Sequence, residues 1–139
     1  MHEQSLVLDT HIWLWTVNGD QTIAPAIRQK IQLSLKNSRV LVPAICVWEV
    51  GMLWKKERIQ LREPLHSWVY TALERSGFSL VPMTEAIAIE SSLLPGKFHN
   101  DPADCMIVAT ARLEKSILVS RDNSIIEYGK AGHVDVLHA

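Results

Sequence analysis

Residues 99–111 read HNDPADCMIVATA, with two aspartates, Asp101 and Asp104, three positions apart before an apolar run. Their simplest chemistry is structural. Asp at an N-cap, Pro102 at the first helical position and an acid at the third, facing the positive end of the helix dipole, make a good helix start. Three other acids lie outside this stretch. Asp9 directly follows SLVL, at the carboxyl end of a strand, where open α/β sheets bind ligands. Asp122 follows ILVS by two residues, in the turn-like SRDN. Glu49 has Ile45, Cys46, Met52 and Leu53 at helical spacing around it, so its carboxylate falls on the apolar face. A carboxylate there needs a partner or a cation, and no Lys or Arg stands at helical spacing on that face.

Each acid taken alone is a cap, a turn or half of a buried ion pair. Together they say more, because a parallel topology brings strand ends and helix starts to one edge. Carboxylates clustered in a partly dry cleft repel, and their pKa values rise unless a cation neutralises them. Oxygen donors without a Cys or His set favour Mg²⁺ or Mn²⁺. Such an ion activates water and clamps phosphate oxygens, the chemistry of metal-dependent nucleases and phosphatases. Ser120, His11, His99 and Arg121 stand beside the acids as candidates for substrate contact or support. Other catalytic patterns are absent: no HExxH, no glycine-rich phosphate loop, no GxSxG elbow.

The elements that must position these acids alternate along the chain. Strands are expected at 5–8, 39–42, 78–81, 117–120 and 134–137. Helices are expected from about residue 10, over 25–36, 44–56, 64–75 and from Thr84 through Leu94, and then over the apolar run after Asp104. A loop is expected between ILVS and the last strand. The alternation predicts an α/β domain with a parallel sheet covered on both faces. At 139 residues and 47% apolar composition, one domain over 1–139 is expected, large enough to bury a core without staples. A net charge of −1 gives no global basic field for nucleic acid, although WKKERIQLR (54–62) supplies a local basic stretch. Two distant cysteines, no signal-like start and no bilayer-length apolar run predict a soluble cytoplasmic protein. Five tryptophans are many for this length; core packing explains most of them and a self-association surface the rest, which suggests a homodimer through the helices after Asp9 and around Trp48.

The blocks LVLDTHIWLW, VWEVGMLWKKERIQL, HNDPADCMIVATAR and ILVSRD, in this order and spacing, resemble those of the PIN-domain family, and within it the VapC-type toxins of bacterial type II toxin–antitoxin systems. The resemblance covers essentially the whole chain. It implies a three-layer α/β/α sandwich around a five-stranded parallel sheet, and an Mg²⁺- or Mn²⁺-dependent endoribonuclease. The family's acids carry over to Asp9, Glu49, Asp104 and Asp122, with Asp101 inside a DPAD block and Ser120 where the family has a hydroxyl. Cys105 departs from the Arg common after Asp104, and Cys46 stands where Ser is common. A VapB-type antitoxin and an RNA substrate follow as expected partners. Two rival readings are an inactive PIN-like binding module and a phosphoacceptor signalling domain. The latter calls for adjacent acids after the first strand and a late-strand Lys, where this chain has DTH and VSRD.

Overall fold

The computed structural model describes residues 4–139. Five short strands form one sheet: β1 (Leu6–Leu8), β2 (Val40–Pro43), β3 (Ser79–Val81), β4 (Ile117–Ser120) and β5 (Val136–His138). Their spatial order is β3-β2-β1-β4-β5, every neighbouring pair parallel. The chain thus builds outward from β1 through β2 to β3, then returns to place β4 on the other side of β1. That reversal puts the topological switch point between β1 and β4, where a crevice opens beyond the carboxyl ends of the strands.

Seven helices flank the sheet: α1 (Thr10–Asn18), α2 (Pro25–Asn37), α3 (Ala44–Lys55), α4 (Leu65–Tyr70), α5 (Glu85–Ser92), α6 (Pro102–Glu114) and α7 (Asn123–Lys130). A single π-helical turn over Thr71–Arg75 extends α4. β1 is buried on both faces, so its three residues, Leu6, Val7 and Leu8, are all apolar without alternation. α6 packs on β1, β2 and β4 and also on α5 and α3, and buries Ala103 and every residue from Ile107 to Ala111, so its middle is enclosed on all sides.

Two expectations change. The stretch after ILVS, expected as a loop, contains α7, capped by the Asp122 side chain on the Ile125 N–H at 3.1 Å. The helix opened by Thr84 stops at Ser92, two residues early. The tryptophans divide as composition suggests: Trp13 and Trp68 are core residues in edge contact, ring centroids 5.1 Å apart, whereas Trp48 and Trp54 on α3 are exposed. Among the described residues no helix is long and apolar enough to cross a membrane.

Candidate metal centre

Three aspartates reach the switch point by the same device. Asp9, Asp101 and Asp122 are the N-caps of α1, α6 and α7, each accepting a backbone N–H of its own helix. The Asp9 Oδ1 accepts the Thr10 N–H at 2.8 Å, and its Oδ2 accepts the Ser120 hydroxyl at 2.7 Å. Ser120 Oγ in turn accepts the Asp122 N–H at 3.0 Å, so one hydroxyl ties the ends of β1 and β4 together. Asp101 Oδ1 accepts the Asp104 N–H at 3.0 Å, which fixes Asp104 in the first turn of α6.

Glu49 enters from α3, half-buried, and its partner is the buried Thr10, whose hydroxyl donates to Oε1. No cation pairs it. Asp9, Glu49, Asp101, Asp104 and Asp122 line a single cleft of about 330 Å³, with Thr10, His11, Trp15 and Arg121 completing the wall. The four segments 9–12, 49, 101–104 and 120–122 are brought to one place.

The electrostatics record the crowding. Burial raises the Asp9 carboxyl above its ordinary range, against the Ser120 and Thr10 hydrogen bonds, and Asp122 adds repulsion. Burial likewise raises Glu49, with Asp9 and Asp101 adding to it. Asp104 is pushed to about 7, first by burial and then by the charges of Asp9, Asp101, Asp122 and Glu49. Asp104 shares the cleft with four other acids and, among the described residues, pairs with no Lys or Arg, so it is suited to a cation. The donor set, carboxylate oxygens with Ser and Thr hydroxyls behind them, fits a hard divalent ion.

The supporting candidates separate. Arg121 lies over Trp15, 5.2 Å from the ring centroid, and donates to the backbone oxygens of Thr22 (2.8 Å) and Ala139 (3.3 Å). Its guanidinium is thus largely engaged with the protein itself. His11 is exposed at the rim, its ring 5.5 Å from Trp15. Cys105 Sγ donates to the His99 carbonyl at 3.3 Å, and Cys46, buried, to the Leu8 carbonyl. Sequence reasoning missed Thr10, although a hydroxyl directly after the strand-end acid was visible in LDTH. His99, a candidate for substrate contact in the sequence, meets an acid of the cleft instead. Here His99 Nε2 lies 3.2 Å from Asp104 Oδ2, and ligand atoms of His99, Asp104 and Asp122 lie within 4.8 Å of one another.

An open parallel sheet carrying an acidic cleft at its switch point defines an α/β domain suited to hold a divalent cation at its carboxyl edge. The chain belongs to the PIN-domain family, whose model matches residues 6–131. Ribonuclease VapC22 of Mycobacterium tuberculosis is 32% identical over 121 residues, covering 87% of this chain and 89% of that protein. Among solved structures, VapBC2 of Rickettsia felis, bound to a DNA fragment from its promoter, aligns with a TM-score of 0.69 at 16% identity, over 97% of this chain and 98% of that one. A toxin–antitoxin complex from Klebsiella pneumoniae aligns with a TM-score of 0.60 at 21% identity, covering 95% of each chain. These two likenesses establish the shared fold.

Proposed function

We propose that this chain is a metal-dependent endoribonuclease of the VapC kind, the toxin of a toxin–antitoxin pair. The observation that carries the reading is the cleft, where five carboxylates converge and Asp104 is held at about 7. Asp9, Glu49, Asp104 and Asp122 supply the ligand oxygens, a set suited to Mg²⁺ or Mn²⁺. When bound, such an ion lowers the pKa of a water and neutralises charge developing on a phosphodiester.

The rest is orientation by the chain's own groups. Ser120 and the Thr10 N–H fix both oxygens of Asp9, the Thr10 hydroxyl fixes Glu49, and the Asp101 cap sets Asp104. Arg121 braces the wall formed by Trp15. His11, exposed at the rim, is placed to meet an incoming RNA strand. Two free cysteines accord with work on RNA in a reducing cytoplasm.

The partner is an antitoxin of the VapB kind, in keeping with the toxin–antitoxin complexes among the structural neighbours. Beside the cleft lies a groove of about 530 Å³ lined by Ile45, Trp48, Met83, Pro102 and Ala103, with Glu49 and Asp101 at its acidic end. That combination suits an antitoxin segment with an apolar anchor and an Arg or Lys directed at the carboxylates. Trp48, 59% exposed, and Trp54, 42% exposed, give α3 the apolar surface for a homodimer. Sedimentation as a monomer at micromolar concentration overturns the dimer.

The purified chain should cleave RNA with Mg²⁺ or Mn²⁺ and stop in excess EDTA. Asp9→Asn should fold, fail to cleave and lose toxicity on expression. Cleavage by Asp9→Asn, or full activity in EDTA, overturns the mechanism. A wild type that binds RNA without cutting it is instead a PIN-like binding module.

A further inference from the structure

The loop that leads into α6 is held far more tightly than a connection requires. The Phe98 ring lies against His99, tilted by 31° with centroids 4.4 Å apart, and against Tyr128 of α7 at 4.8 Å, tilted by 45°. Tyr128 stacks in turn on His133 at 4.6 Å, and its hydroxyl donates to the Pro95 carbonyl. The His99 carbonyl accepts the Cys105 thiol. Ring and backbone of His99 are therefore both fixed.

The fixed ring makes two directed contacts. The Asp101 backbone N–H donates to Nδ1 at 3.2 Å, while Nε2 faces Asp104 Oδ2 at 3.2 Å. A backbone amide has no other role than donor, so the Nδ1 it meets is unprotonated. The imidazole proton of the neutral ring then sits on Nε2, aimed at Asp104.

We infer that His99 is a positioning residue: its Nε2–H, set as the donor tautomer by the Asp101 N–H, holds one oxygen of Asp104 and leaves the other for the cation. This rests on the metal-nuclease reading above. The alternative, His99 as a ligand, has the spacing in its favour, since its ligand atom lies within 4.8 Å of those of Asp104 and Asp122. Ligation needs a bare Nε2, which moves the proton to Nδ1 and sets it against the Asp101 N–H. The same amide that selects the donor thus disfavours the ligand. Outer hydrogen bonds of this kind orient ligating carboxylates and strengthen the site.

Two measurements test the role. Long-range ¹H–¹⁵N spectra of the metal-free chain, with His99 assigned through His99→Gln, should show the proton on Nε2, and it should stay there when Mg²⁺ is added. A proton on Nδ1, or one that moves to Nδ1 with Mg²⁺, overturns the inference. The second is the Mg²⁺ concentration that half-saturates the thermal shift. It should rise on the order of tenfold in His99→Ala and return to within a few-fold of wild type in His99→Gln, whose side-chain amide keeps a donor. Half-saturation unchanged in His99→Ala, or as poor in His99→Gln as in His99→Ala, overturns the role while leaving the nuclease reading intact. A wild type that gains no thermal stability from Mg²⁺ or Mn²⁺ overturns both.

Discussion

The two edges of the sheet treat charge in opposite ways. At the amino ends of the strands Arg112 donates to Glu90 Oε2 at 2.8 Å and to the His133 carbonyl, so a half-buried cation, an acid and a backbone oxygen satisfy one another. At the carboxyl ends five acids share a cleft with no Lys or Arg paired to any of them among the described residues. One chain thus builds a compensated polar group and an uncompensated one some strand-lengths apart. The first is what stability selects. The second, repulsive on its own, is the pattern of a functional site, in keeping with the proposed metal centre.

The largest effect expected from breaking this contrast is at the uncompensated edge. Asp104→Asn should lower RNA cleavage at saturating Mg²⁺ by at least about a hundredfold, as loss of a group that stabilises developing charge does. In metal-free buffer at pH 8 it should melt no lower than wild type, because it removes repulsion. A clear drop in melting temperature there means the cluster is internally compensated and the comparison fails.

Arg112→Ala should do the reverse. It leaves Glu90 and the His133 carbonyl without their donor and should cost about 1–3 kcal/mol in urea denaturation. Cleavage per folded molecule should not change. Loss of activity at wild-type stability contradicts the division between edges.

A smaller, continuous effect follows from pH. The Asp104 value in the folded chain, about 7, lies above its ordinary 3.8. Its contribution to stability is therefore fully present below about 3.8 and is lost as pH rises through about 7. Metal-free protein should weaken across that window, and the stabilisation given by Mg²⁺ should grow across it. Urea titrations at pH 5 and pH 8, with and without Mg²⁺, read the difference, and equal Mg²⁺ effects at both count against a repelling cluster.

The smallest effect is expected at Asp101. Asparagine caps about as well as aspartate, so Asp101→Asn should stay within about 0.5 kcal/mol of wild type and keep measurable cleavage, while Asp101→Ala should lose about 0.5–2 kcal/mol. An Asp101→Asn chain that melts normally yet is as inactive as Asp104→Asn places Asp101 among the ligands.

What could be seen in the sequence was what is local. Short β-branched runs marked the strands, and an acid directly after a run marked the switch-point edge, since strand ends and helix caps are set by a few neighbouring residues. The PADC start of α6 declared its own cap and dipole chemistry. α7 was hidden for a physical reason. It is eight residues long and carries Gly129 in its last turn, a composition that reads as loop. Gly129 is there for packing: a Cβ on it would stand 2.6 Å from Val136 Cγ2, so only glycine lets α7 lie on β5. The capping role of Asp122 was hidden with it, because turns and N-caps draw on the same residues. The Glu49 partner was out of reach altogether, since Thr10 lies 39 positions away. The two nitrogens of His99 differ only through contacts that exist once α6 and its loop are folded.

The order in which the acids occur along the chain has a consequence for a cell that makes this protein. Ser120, which donates to Asp9, lies 111 positions after it, and β4 is made after β2 and β3 although it lies directly beside β1. A nascent chain stopped anywhere before residue 120 has β1 with an open edge, no hydroxyl on Asp9 and no fifth acid. A partly made chain therefore lacks the complete acidic cleft, which closes only once β4 and the start of α7 have been added.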